Sequence, residues 1–91
     1  MSISEDVSDF IRERTLVEMV KCKRDERMYN PEEQFSKMGI SEEAATWIAK
    51  EVESQFKIPL MPLLRRKPLG IENYNQLSPQ EITNYVIGRI N

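Results

Sequence analysis

The sequence predicts an all-α fold: a small four-helix bundle with three main helices and a short third one. Apolar residues recur at three- and four-residue intervals, no strand-like alternation is long enough to compete, and cap residues, prolines and glycines fall at the ends of the periodic segments. The 91 residues are read as a single domain over positions 1–91, long enough for a compact core and too short for an enzyme with a deep cleft.

Ser2 and Glu5 have capping-box spacing ahead of Val7, Phe10, Ile11, Val17 and Val20, so the first helix is placed from Ile3 to Val20. Leu16 and Met19 widen its apolar stripe. The mixed-charge run Lys21, Lys23, Arg24, Asp25, Glu26 and Arg27 has no periodic apolar face and reads as the solvated helix end and the start of a long loop.

Asn30-Pro31-Glu32-Glu33 is a helix-start signal, with Asn as cap, Pro at the first helical position and two acids at the positive end. A short helical turn is expected from there to Lys37, broken by Met38-Gly39. Ser41 caps the second main helix, Glu42 to Phe56, whose Ala45, Ile48, Ala49, Val52 and Phe56 share one face. Trp47 lies about 100° from Ile48 at the edge of that face. It is read as a half-buried core aromatic, with an exposed partner anchor as the alternative.

Pro59 and Pro62 interrupt the chain and leave room only for a short helix from Met61 to Arg66. Pro68-Leu69-Gly70 closes it, and Ile71 to Gln76 are expected to form a polar loop. Ser78-Pro79-Gln80-Glu81 carries cap, proline and reciprocal Glu at the offsets that begin a helix. Its inner face is Ile82, Tyr85, Val86 and Ile90.

Composition narrows the function. There is no histidine, which removes the commonest general base and zinc ligand and excludes Ser-His or Cys-His nucleophilic chemistry. A lone Cys22 can form no internal disulfide and offers no Cys cluster for a metal. Thirteen basic against fifteen acidic residues give a net charge of −2, so no global field draws in nucleic acid. No segment approaches the roughly 18 apolar residues of a membrane span, and the chain begins acidic rather than with a basic leader. A cytoplasmic, monomeric protein that is not an enzyme is the expectation. Glu42, Glu43, Glu51 and Glu53 lie on or beside the second helix, where an electrostatic docking face suits them better than acid–base chemistry, which requires a cleft.

The central stretch, Asn30 to Ile58, resembles the acyl carrier protein family of polyketide and fatty-acid pathways. The resemblance is carried by the Phe35-x-x-x-Gly39 spacing, a helix ending at Phe56, Phe56-Lys57-Ile58 followed by Leu60-Met61-Pro62, then Lys67-Pro68-Leu69 and a terminal helix. It implies an acyl-carrier-like four-helix fold with a 4′-phosphopantetheine arm on a serine at the start of helix two, carrying acyl thioesters to partner enzymes such as a ketosynthase, acyltransferase or ligase.

Two departures bear on that function. Without a gap between Gly39 and Phe56, Ser41 falls at the family's Asp, and Glu42 falls at the attachment serine, where a carboxylate cannot replace the hydroxyl. Making Ser41 the acceptor shifts the helix by one residue and puts Glu51 and Gln55 where Val52 and Phe56 were. In the ungapped register the family's exposed apolar recognition positions become Glu43, Thr46 and Lys50, and Arg65-Arg66-Lys67 makes the third helix basic.

The leading expectation is a carrier-like protein without cofactor, acting by protein–protein contact. Its candidate partner-binding residues are Glu42, Glu43, Thr46, Trp47, Lys50, Arg65, Arg66 and Lys67. The alternative is a functional carrier with the arm on Ser41. A helical nucleic-acid-binding module using Arg65, Arg66 and Lys67 is a third reading, opposed by the net charge and the lack of a basic recognition helix.

Overall fold

Helix α1 spans Ile3–Lys21, α2 Glu42–Phe56, α3 Met61–Arg65 and α4 Pro79–Ile90, with short 3-10 turns at Glu26–Met28, Phe35–Met38 and Tyr74–Gln76. The structure, a computed structural model, describes residues 3–65 and 73–90. Among these residues there is no strand, and no helix is long and apolar enough to cross a membrane. The expected cap Ser2 and the expected helix stop Pro68-Leu69-Gly70 lie outside the described residues, as does the predicted end of the third helix at Arg66.

Helix α1 buries Val7, Ile11, Thr15, Glu18 and Met19. The sequence reading placed Val17 and Val20 on this inner face, but they are 42% and 55% exposed. Val7 and Ile11 set the phase of the helix, and nine residues at about 100° each carry Val20 to the side opposite Ile11. Thr15 takes an inner position that no apolar residue fills. Its hydroxyl donates to the Ile11 carbonyl at 2.7 Å, so the buried polar group is satisfied within the helix.

The helix ends in a Schellman arrangement. Arg24 N donates to the Met19 carbonyl and Lys23 N to the Val20 carbonyl, at 2.8 and 3.0 Å. Lys23 takes the left-handed position, with φ 58°, that glycine usually holds.

The helix-start signal at Asn30 forms a turn instead. The Asn30 side chain accepts from Glu32 N at 2.9 Å, and Glu33 N donates to the Asn30 carbonyl. Asn satisfies the next amides locally, so the chain turns and becomes helical only at Phe35. Gly39 ends that 3-10 turn with φ 82°, as its position predicts.

Phe35 is fully buried, and its amide donates to the Leu77 carbonyl at 3.0 Å, while Gln80 N donates to the Pro31 carbonyl at 2.8 Å. These bonds tie the long α1–α2 loop to the start of α4. Ile40, Ile48, Leu60, Leu77 and Ile82 complete the centre of the core around Phe35.

Helix α2 has the predicted bounds and buries Ala45, Ile48, Ala49 and Val52. Phe56 is half-buried, its ring edge-on to Phe10 at 5.5 Å. Beyond the helix, Glu53 Oε2 accepts from Leu60 N at 2.7 Å. That bond satisfies the amide of a fully buried residue and brings the chain back toward the core before α3, where Leu63 and Leu64 are buried.

A 3-10 turn stands within the segment read as a polar loop, with Asn73 N donating to Gln76 Oε1 at 3.4 Å. Helix α4 then opens with the reciprocal cap read from the sequence: Glu81 N donates to Ser78 Oγ at 3.1 Å, and Ser78 N to Glu81 Oε1 at 3.2 Å. Ile82, Tyr85 and Val86 are buried, but Ile90 is 38% exposed, because the final turn, 88–90, is exposed throughout. The radius of gyration, 12.2 Å, matches the ~12 Å scaling value for a compact domain of this length.

Two outcomes follow from this framework. Lys57 holds a left-handed conformation (φ 59°) at the α2 C-cap, so Lys57→Gly should raise the unfolding free energy by about 1 kcal/mol in urea titrations. Burial pushes the Tyr29 hydroxyl up to about 12, with Arg12 opposing weakly. The folded state therefore resists ionisation that the unfolded chain undergoes near pH 10. Tyr29 contributes stability below pH 10 that is lost as the pH rises toward 12, and Tyr29→Phe should lose less stability than the parent across that window.

Candidate interaction surface

The helix face opposite the buried Ala45, Ile48, Ala49 and Val52 carries the sequence-predicted contact residues. Glu42, Glu43, Thr46, Trp47 and Lys50 follow at offsets that keep them on one side of α2, and together they line a shallow, open groove of about 400 Å³. Its walls are mostly side-chain carbon, with charge at both ends. Glu42 and Glu43 occupy the first turn, where the helix dipole favours acids. The Thr46 hydroxyl donates to the Glu42 carbonyl at 2.8 Å, which leaves its methyl for the groove.

Trp47 is 37% exposed. It is not a residue of the central core but a rim aromatic, with Lys21 Nζ lying 5.3 Å from its ring centroid. Lys21 also approaches Glu18 Oε2 at 3.9 Å. The end of α1 thus flanks the indole, which keeps about a third of its surface exposed. An aromatic held this way offers a large apolar contact at low entropic cost.

Ser41 stands at the head of the same helix, with extended backbone angles of −71° and 166°. Its Oγ accepts from Ala44 N at 3.2 Å, the expected cap, and the residue is exposed. Glu42 is the first helical residue. The buried face of α2 is Ala45, Ile48, Ala49 and Val52, and a one-residue shift would turn Glu51 and Gln55 inward.

Of the other predicted residues, Arg65 is exposed at the end of α3, and Arg66 and Lys67 lie outside the described residues. Glu53, grouped in the sequence with the acids of a docking face, instead spends its carboxylate on the Leu60 amide.

Two surfaces escaped the sequence reading. Leu16, Val17 and Val20 form an apolar strip with Lys21 and Glu26. A second groove joins Lys23, Arg24 and Lys37, of which the sequence pattern marks only the first two, as solvated charge. No spacing rule brings position 24 to position 37, because the loop fold decides that approach. No family model, curated protein or solved structure matches this chain.

The cap has a measurable weight. Ser41→Ala should destabilise the protein by about 1 kcal/mol, whereas Ser41→Asp should keep most of that stability, as read from urea midpoints.

Proposed function

We propose that this is an acyl-carrier-like protein of a polyketide, fatty-acid or related assembly pathway, acting through protein–protein contact and lacking the phosphopantetheine arm. The observation that carries the proposal is the head of α2. Glu42 holds the first helical position, where the ungapped register puts the family's attachment serine, and the neighbouring Ser41 hydroxyl serves as the cap. The sequence of elements supports it: a long first helix, a long loop packed by a buried Phe35, an amphipathic second helix, a short third and a terminal helix. The partners are enzymes of the pathway, met by the groove from Glu42 to Lys50, with Trp47 as apolar anchor and the flanking charges setting orientation. The protein acts as a monomer in the cytoplasm and does no chemistry of its own.

One observation favours the second reading, a working carrier. Ser41 is exposed at the start of α2, so its hydroxyl is within reach of a transferase despite the cap. A phosphopantetheine arm placed there would be anchored through its phosphate at the acidic end of the same groove, with its thiol free to reach a partner enzyme.

Co-expression with a broad-specificity phosphopantetheinyl transferase, followed by intact-mass measurement, separates the two. The unmodified mass is expected. A mass increase of one arm that disappears in Ser41→Ala would replace the leading proposal with the second. A folded Ser41→Ala protein, checked by circular dichroism, keeps loss of the arm distinct from loss of the fold.

A further inference from the structure

The second groove, about 440 Å³, is lined by Lys23, Arg24, Asp25, Met28, Ser36, Lys37, Met38 and Gly39. It gathers three cations on an acidic chain, net −2. Lys23 and Arg24 have no carboxylate within ion-pair distance among the described residues. Lys37 is held only by a long, exposed contact to Glu33 at 3.9 Å, the kind of pair that contributes little and exchanges readily.

The one acid in the lining is an ionised carboxylate whose hydrogen bonds are turned to Arg27 in an exposed pair. Asp25 accepts from Arg27 Nε at 3.2 Å, from a terminal guanidinium nitrogen at 2.9 Å and from the Arg27 amide at 2.9 Å. These bonds hold its carboxyl below the usual carboxylate range.

The wall is also shaped for the guanidinium. Arg24 lies so close to Gly39 that a Cβ there would overlap its Nε and Cδ. The exposed Arg24 side chain thus passes close over the Gly39 backbone. Ser36 adds a hydroxyl with no hydrogen-bond partner among the described residues, and Met28 and Met38 supply apolar surface.

We infer that this groove binds the phosphate or diphosphate group of a small phosphorylated molecule, with Arg24 as the bidentate donor, Lys23 and Lys37 as point charges and Ser36 as a neutral donor. Guanidinium fork geometry matches two phosphate oxygens, and two flanking ammonium groups offset the remaining charge. The volume suits a small ligand. A nucleic-acid backbone would need a longer basic track, and acids lie close by in sequence at Glu26, Glu32 and Glu33. The inference is independent of the acyl-carrier proposal and concerns a different face of the molecule.

Amide chemical shifts followed during titration with pyrophosphate, with sodium sulfate at matched ionic strength as comparison, test it. Saturable shifts at Lys23, Arg24, Ser36, Lys37 and Gly39 are expected at low millimolar pyrophosphate, with weaker binding of sulfate and of inorganic phosphate. Arg24→Gln should weaken pyrophosphate binding about tenfold or more, and Arg24→Lys should recover only part of it. Arg89→Gln, a charge loss on α4, should leave it unchanged. Unchanged amide spectra outside the groove show that the variants fold. Non-saturating shifts, equal response to sulfate, or equal loss in Arg24→Gln and Arg89→Gln would overturn the inference. So would tighter binding of a short DNA duplex through the same residues.

Discussion

The arrangement depends on a pair of backbone hydrogen bonds between segments far apart in the chain, Phe35 N to the Leu77 carbonyl and Gln80 N to the Pro31 carbonyl. They clamp the long loop after α1 onto the start of α4 and seal Phe35 into the core. Without them the loop would retain the conformational freedom of an ordinary surface connection. With them, Gly39 and Ser41 are delivered in a fixed position, so that α2 begins at a defined place on the bundle. The second groove depends on the same clamp, since it brings the Ser36–Gly39 segment against Lys23 and Arg24.

Helix α2 then divides its labour by face. Ala45, Ile48, Ala49 and Val52 supply the core contacts, and small Ala side chains at two of these four positions allow close packing. The opposite side is left to Glu42, Glu43, Thr46, Trp47 and Lys50, which lie outside the central core and form the proposed contact face. Ser41 sits at the joint between the two tasks, since its hydroxyl satisfies a helix amide and also faces solvent. The same atom therefore serves stability in one reading and cofactor attachment in the other.

Legibility in the sequence followed the range of the interaction. The caps at Ser41 and Ser78, the left-handed Gly39 and the bounds of α2 were readable because each is settled within three or four residues by hydrogen bonding or backbone sterics. That Glu42, Glu43, Thr46, Trp47 and Lys50 share one side of α2 was readable too, since helical spacing alone sets it. Where a local signal admits two local solutions, the reading failed: Asn30-Pro31 could begin a helix or a turn, and the Asn side chain bonded to Glu32 decided for the turn. Val17 and Val20 failed for another reason. Hydrophobicity marks them as core candidates, but only the docking of α1 chooses which side of it is covered.

From the sequence alone came the helical class, the amphipathic second helix, the serine at its head and the glutamate one residue later, because periodicity and capping are local properties of a chain. The tertiary structure decided that α2 packs in the register that buries Val52 and leaves Glu51 and Gln55 off the core face. It also decided that Trp47 is a rim residue beside Lys21 and that Arg24 rests on Gly39. These depend on which surfaces exclude water from one another, and that is settled only when distant segments close the core.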